Sequence, residues 1–141
     1  IHLASTINAI KDSFKYKDIN NFYKICEIHK SLKKDTIDCE PGEIRTFKKN
    51  NSILGNAYAY PENIFKFTNN LSDFKNPYVR HVIFEWVHPF TDGNGRLGRI
   101  ILLHDVDFNF SKVNSFCNKN YTDTIQKFIL HHKSLNNVFN I

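Results

Sequence analysis

Twelve consecutive residues, His88-Pro-Phe-Thr-Asp-Gly-Asn-Gly-Arg-Leu-Gly-Arg99, hold a base, a carboxylate, a glycine-rich turn and two guanidiniums. Gly93 and Gly95 flank Asn94, and all three tolerate positive φ, so successive backbone N–H groups can converge into a nest for an anion. The residues from Arg96 onward place Leu97, Ile100, Ile101 and His104 at helical spacing. A helix opening there adds unpaired N–H groups and a dipole that favour negative charge. Arg96 and Arg99, three apart, share a face and can clamp one polyphosphate with planar forks. A carboxylate beside an anion site makes sense if Asp92 holds a hard cation such as Mg²⁺ that bridges the phosphates. His88 supplies a neutral imidazole that can take a proton from an attacking hydroxyl. The residues alone leave open which phosphorus is attacked.

Several elements must position this stretch. Asn76-Pro77 starts a helix with an apolar stripe of Val79, Val82, Ile83, Trp86, Val87 and Phe90, which delivers His88 from its last turn. Trp86 and Phe90 read as core, Phe90 locking the entry to the loop. Upstream, Ile1 to Asp12 reads as a short helix with Leu3, Ile7 and Ile10 inward. Asn20 or Asn21 caps a second helix with Phe22, Ile25, Cys26, His29 and Leu32 on one face. Residues 43–60 carry hairpin chemistry, and Pro61-Glu62 starts a helix that turns Ile64, Phe67 and Leu71 inward. Downstream, residues 109–120 read as loop, and Thr122 to His132 as helix with Ile125, Phe128 and Ile129 buried. The fold class is all-α with one small β-hairpin.

The 141 residues are one domain's worth, long enough to bury roughly 68–70% of the unfolded surface. Cys26, Cys39 and Cys117 fit neither a disulfide framework nor a zinc site and read as free thiols in a reducing compartment, Cys26 in the core. No run of eighteen apolar residues or leader pattern occurs, so the expectation is a chain with no membrane partner. The net charge of +5 and pI of about 9.1 come from scattered lysines rather than a dense block, which argues against nucleic acid. His29 and His104 lie on apolar stripes and read as hydrogen-bonded core histidines. The dipeptide His104-Asp105 lacks the further ligands of a metal phosphohydrolase.

The stretch from His88 to Arg99 matches at every fixed position the signature His-Pro-Phe-x-Asp-Gly-Asn-Gly-Arg-x-x-Arg and resembles the Fic domain family. Ile28-His29-Lys30-Ser31-Leu32, Pro41-Gly42-Glu43-Ile44-Arg45-Thr46, Phe110-Ser111-Lys112-Val113 and Tyr121 resemble further landmarks, so the likeness runs from about Asn20 to Tyr121. It implies a helical domain spanning residues 1–141 that transfers AMP from ATP to a Ser, Thr or Tyr hydroxyl of a protein, with Mg²⁺ as cofactor and pyrophosphate released. His88 would be the base and Asp92 the Mg²⁺ ligand. Gly93, Asn94 and Gly95 would cradle the α- and β-phosphates, with Arg96 and Arg99 on phosphates further out. A phosphate-transferring branch resembling Doc toxins usually has Ala at the position of Gly93 and Lys at that of Gly95; this chain keeps the nucleotidyl-transferring form.

By the same resemblance, the hairpin at Ser52-Ile53-Leu54-Gly55 would be a flap that holds the target segment as an added strand. Many Fic proteins also carry an inhibitory helix with the pattern Ser/Thr-x-x-x-Glu-Gly/Asn, whose Glu pairs the second motif arginine. Ala4-Ser-Thr-Ile-Asn8-Ala9 looks like that frame with Asn8 in the place of Glu. The expectation is a chain without its own inhibitory Glu: unrestrained, restrained by an antitoxin-like partner, or altered at Asn8. The setting would be cytoplasmic, or a host cytosol for a secreted effector. Alternatives keep the site and change the donor to UMP, GMP or phosphocholine, or leave a silent nucleotide- or partner-binding module.

Overall fold

The computed structural model describes residues 2–37, 39–49, 58–118 and 120–132. Among these are seven α-helices and no strand: α1 (His2–Ser13), α2 (Phe22–Lys33), α3 (Pro61–Asn69), α4 (Pro77–Val87), α5 (Asn94–Asp105), α6 (Phe110–Phe116) and α7 (Tyr121–His132), with a 3₁₀ turn at Leu71–Asp73. Side-chain chemistry sets the starts. Asn21 accepts from the Lys24 amide at 3.0 Å, Asn76 from the Tyr78 and Val79 amides, and Pro61 and Pro77 open α3 and α4 where their missing N–H costs nothing. No helix among the described residues is long and apolar enough to cross a membrane.

The core is organised around α4, whose Trp86, Phe84 and Val87 are buried against α3, α5 and α7. Trp86 meets Phe67 edge-on at 4.9 Å between centroids, and Phe90, just past the helix, is also fully buried. Burying such large rings is the main contribution a chain of this size can make to its own stability. α2 closes the other side with Ile25, Ile28, His29 and Leu32 inward, and Cys26 lies in this core as a free thiol.

Three expectations are corrected. α1 turns Ala9 and Ser13 inward and leaves Leu3 and Ile7 exposed. Small residues let it lie close on α2, where the Asp12 carboxylate accepts from the Ser31 hydroxyl at 2.7 Å. Val79, on the first turn of α4, is also exposed. The stretch 109–120 contains α6, capped by Asn109 at the Lys112 amide; it is seven residues long and buries none of them fully, too short a window for a helical period to announce it. The flap at Ser52, Ile53, Leu54 and Gly55 lies outside the described residues, as does the placement of the Phe128 and Ile129 side chains.

Candidate active site

The site is built where α4 ends and α5 begins. His88 is the C-cap of α4, one residue past its last turn, in the left-handed region at φ 48 and ψ 60, with its amide on the Phe84 carbonyl at 3.0 Å. A non-glycine residue held there is strained and persists only where its surroundings fix it. Arg45 does this. Its buried guanidinium donates to the carbonyls of His88 (2.6 Å), Val87 (3.0 Å), Ala59 (2.6 Å) and Phe47 (2.8 Å), while its own amide donates to the Pro89 carbonyl. A cation on the last carbonyls of a helix also meets the negative end of its dipole. The His88 ring stacks on Tyr58 at 4.1 Å between centroids. Burial, reinforced by Arg45 and Lys49, pushes its pKa down to about 3. The imidazole is therefore neutral near pH 7, the form a general base needs.

The loop beyond is closed by Asn94, which is buried. Its Oδ1 accepts from the Phe90 amide at 2.8 Å and its Nδ2 donates to the Phe90 carbonyl at 2.7 Å. A second clasp comes from α2. His29 Nδ1 accepts the Gly42 amide, so Nε2 carries the proton and donates to the Asp92 carbonyl at 2.9 Å. The ring lies flat on Phe90 at 3.7 Å, and burial holds its pKa near 4. His29 is thus a core histidine, as its stripe suggested, and so is His104, bonded to the Tyr16 carbonyl.

The glycine-rich turn differs from the nest expected. Gly93 has positive φ (88) and is the N-cap of α5, whereas Asn94 and Gly95 already belong to the helix, which starts two residues before Arg96. No side chain caps this end, and the first backbone bond runs from the Leu97 amide to the Gly93 carbonyl. The leading N–H groups of a helix without a cap point outward at whatever lies beyond. The guanidinium of Arg99 folds back over Gly95, where a Cβ would meet it at 3.3 Å. Glycine suits position 98 on steric grounds, since a Cβ on Gly98 would run into the Glu85 carboxyl and meet Phe84 at 3.1 Å. Glycine at this position permits the crossing of α4 and α5.

Asp92 stands at the mouth of the cradle with its side chain about half exposed. Its Oδ2 pairs with Lys33 Nζ at 2.5 Å and lies 3.7 Å from Arg96 Nη2. Among the described residues no group of three or more His, Cys, Asp or Glu gathers to hold a metal. A cation shared with phosphates needs only one or two carboxylates, and Asp92 beside an uncapped helix end fits that arrangement. Arg96 and Arg99 line a cavity of about 210 Å³ with Thr6, Ile10 and Phe110. Asn8 is not among its lining; it is exposed over a different cavity with Ser31, Lys34 and Asp35. Motif residues 88 to 99 are thus brought together as expected, Asn8 lines a cavity other than the one Arg96 and Arg99 share, and sequence reasoning missed Lys33 and Arg45. The signal for Arg45 lay in the landmark Pro41 to Thr46; Lys33 had none beyond an unusually apolar helix face.

Fold and loop together define the class, a Fic-type domain. The model of the Fic/DOC family matches residues 20–104, more than half of the chain, and the chain belongs to that family. Over 28 residues, 20% of this chain and 9% of the relative, it is 57% identical to a protein of Aquifex aeolicus (strain VF5) named as a probable protein adenylyltransferase. The fold is similar to that of a Fic family protein from Desulfovibrio desulfuricans G20, at a TM-score of 0.63 and 19% identity over 97% of this chain and 44% of that one. It is also similar to Fic-1 from C. elegans, at 0.52 and 17% over 97% and 49%. The chain spans less than half the length of these relatives.

Proposed function

We propose that the protein is an adenylyltransferase that moves AMP from ATP to a Ser, Thr or Tyr hydroxyl of a target protein and releases pyrophosphate. The observation that carries this reading is a neutral histidine, fixed on a left-handed cap, beside the uncapped N-terminus of α5. The name of the Aquifex relative supports the nucleotidyl branch.

In this mechanism the α- and β-phosphates rest on the leading N–H groups of α5 around Gly93, Asn94 and Gly95, and Arg96 and Arg99 take oxygens further out. Asp92 would hold Mg²⁺, which when bound neutralises phosphate charge. His88 takes the proton of the target hydroxyl, whose oxygen bonds to the α-phosphorus in line as the bond to the departing pyrophosphate oxygen breaks. The base contributes typically 10²–10⁴-fold, and positioning and charge neutralisation supply most of the rest. The target segment would lie along residues 52–55. With Asn8 in place of Glu, restraint would come from a separate antitoxin-like partner or be absent.

The test is incubation with labelled ATP and host-cell lysate beside His88→Ala. Labelled bands are expected with the protein and not with the variant, which still binds ATP. Transfer that persists in His88→Ala rejects the mechanism. Transfer only from labelled UTP, GTP or CDP-choline rejects the donor.

A further inference from the structure

His29 is fully buried on α2, and both of its ring nitrogens are engaged. On one side stands a tight turn. Pro41 and Gly42 occupy its two centre positions, Gly42 has φ 80, and the Glu43 amide closes it on the Glu40 carbonyl at 3.2 Å, the residues and the φ of a type II turn. The Gly42 N–H donates to Nδ1 at 2.9 Å. A ring nitrogen that accepts carries no proton, so the proton of the neutral ring sits on Nε2. Nε2 therefore has only a donor to offer, and the group it meets at 2.9 Å is the Asp92 carbonyl. Phe90, flat against the ring at 3.7 Å, stands in the way of a ring flip that would exchange the nitrogens. A peptide group is planar and trans, so its C=O and N–H point in opposite directions. Fixing the Asp92 carbonyl toward α2 thus turns the Gly93 N–H away from α2. That matters at a glycine with φ 88, because glycine lets the peptide before it turn over at little cost. The overturned peptide would bring the Gly93 N–H onto Nε2–H, donor against donor.

We propose that His29 is a positioning residue for the motif loop: with its tautomer set by the Gly42 amide, it admits one orientation of the Asp92–Gly93 peptide and so keeps the Gly93 N–H turned outward as a donor. The proposal rests on the reading of the start of α5 as the seat of the ATP phosphates. The turn at residues 40–43, far from the motif in sequence, then decides through one imidazole which way a phosphate-facing donor points. Removing a donor from a place where charge develops costs about 10²–10³ in kcat, and a peptide free to turn over forfeits part of that.

The first measurement needs no variant: long-range ¹H–¹⁵N spectra of the histidine rings at neutral pH, in which His29 is expected with its proton on Nε2. A proton on Nδ1, or on both nitrogens, overturns the proposal. The second compares the protein with His29→Gln, whose amide keeps a donor at the place of Nε2, with His29→Asn, whose amide reaches only the place of Nδ1, and with His29→Phe, which keeps the stack and loses both bonds. Each is checked for a cooperative melting transition. On titration with ATP the Gly93 amide proton should move downfield in the protein and in His29→Gln, and much less in His29→Asn and His29→Phe. In the latter two kcat for AMP transfer should fall about tenfold or more with KM for ATP changed less, and His29→Gln should restore it. Unchanged Gly93 shifts and kcat in folded His29→Asn and His29→Phe overturn the proposal, as does a Gly93 amide that ATP does not move in the protein itself. If ATP moves that amide but the protein transfers no AMP, the adenylyltransferase reading falls while the role of His29 stands on the tautomer and the amide shifts.

Discussion

At the scale of single residues, His88 and Arg45 set what the site can do. Burial and two neighbouring cations keep the His88 ring neutral down to about pH 3. An unperturbed histidine would lose its basic form as pH fell through about 6.5. The free-enzyme profile of kcat/KM for transfer should therefore show no acidic limb between pH 5 and 7, and a limb near 6.5 would mean that the ring titrates as an exposed one does. Arg45→Lys keeps a charge but not the fork that reaches the carbonyls of four residues. Each buried carbonyl left without a donor costs about 1–3 kcal/mol, so this variant should melt at lower temperature and lose kcat more than ATP affinity, because the His88 cap is released. The places of the motif residues around one loop were legible in the sequence, since the residues are contiguous. Those of Lys33 and Arg45 were not: each acts across a long sequence separation, and a lysine or arginine is by default read as solvated.

At the scale of elements, the crossing of α4 over α5 is the joint that sets His88 beside the N-terminus of α5. Gly98 and Glu85 share it, and His81 bonds the Gly98 carbonyl through Nδ1 and the Tyr121 hydroxyl through Nε2. Alanine is the better helix former by about 1 kcal/mol, so a Gly98→Ala change judged by propensity alone would stabilise. The buried Glu85 carboxyl and Phe84 leave no space for the methyl, and we expect a net loss of about 1–3 kcal/mol from overpacking, measured by denaturant midpoint. Burial, opposed by Arg99, pushes the pKa of Glu85 up to about 8. A raised carboxyl pKa gives stability that is complete below the unfolded value near 4.5 and lost as pH rises through 8. Glu85→Gln, which resembles the protonated acid, should match the protein in melting temperature at pH 5 and exceed it at pH 9. Helices α2, α3, α4 and α7 were legible because caps, prolines or an apolar stripe mark them. The inward face of α1 was not: Leu3, Ile7 and Ile10 keep a helical period, and only tertiary packing decides that Ala9 and Ser13 go inside.

At the scale of the whole molecule, buried ionisable groups set the acid response. Burial lowers His29 and His81 to about 4 and His88 to about 3, and raises Glu85 to about 8 and Asp105 to about 6. The lowered histidines give stability that is complete above the unfolded value near 6.5 and lost as pH falls toward 4; the raised carboxyls act in the opposite sense over the same range. Near pH 5.5 unfolding takes up about three protons at the histidines and gives back about two at the carboxyls, a net of about one, or roughly 1.4 kcal/mol per pH unit. Melting temperature should fall between pH 6.5 and 5, and a flat profile would show that the two sets cancel. The helical class was legible in the sequence because it follows from patterning, whereas the proton balance depends on which side chains the fold happens to enclose. Finally, the Arg45 guanidinium grips Phe47 and Ala59, the two roots of the chain segment between them. A segment clamped at both roots can be replaced or lengthened at an entropic cost that grows only slowly with length. One arginine thus makes the stretch interchangeable, so that a lineage, or an engineer, can change its sequence and length without disturbing the histidine anchored by that same side chain.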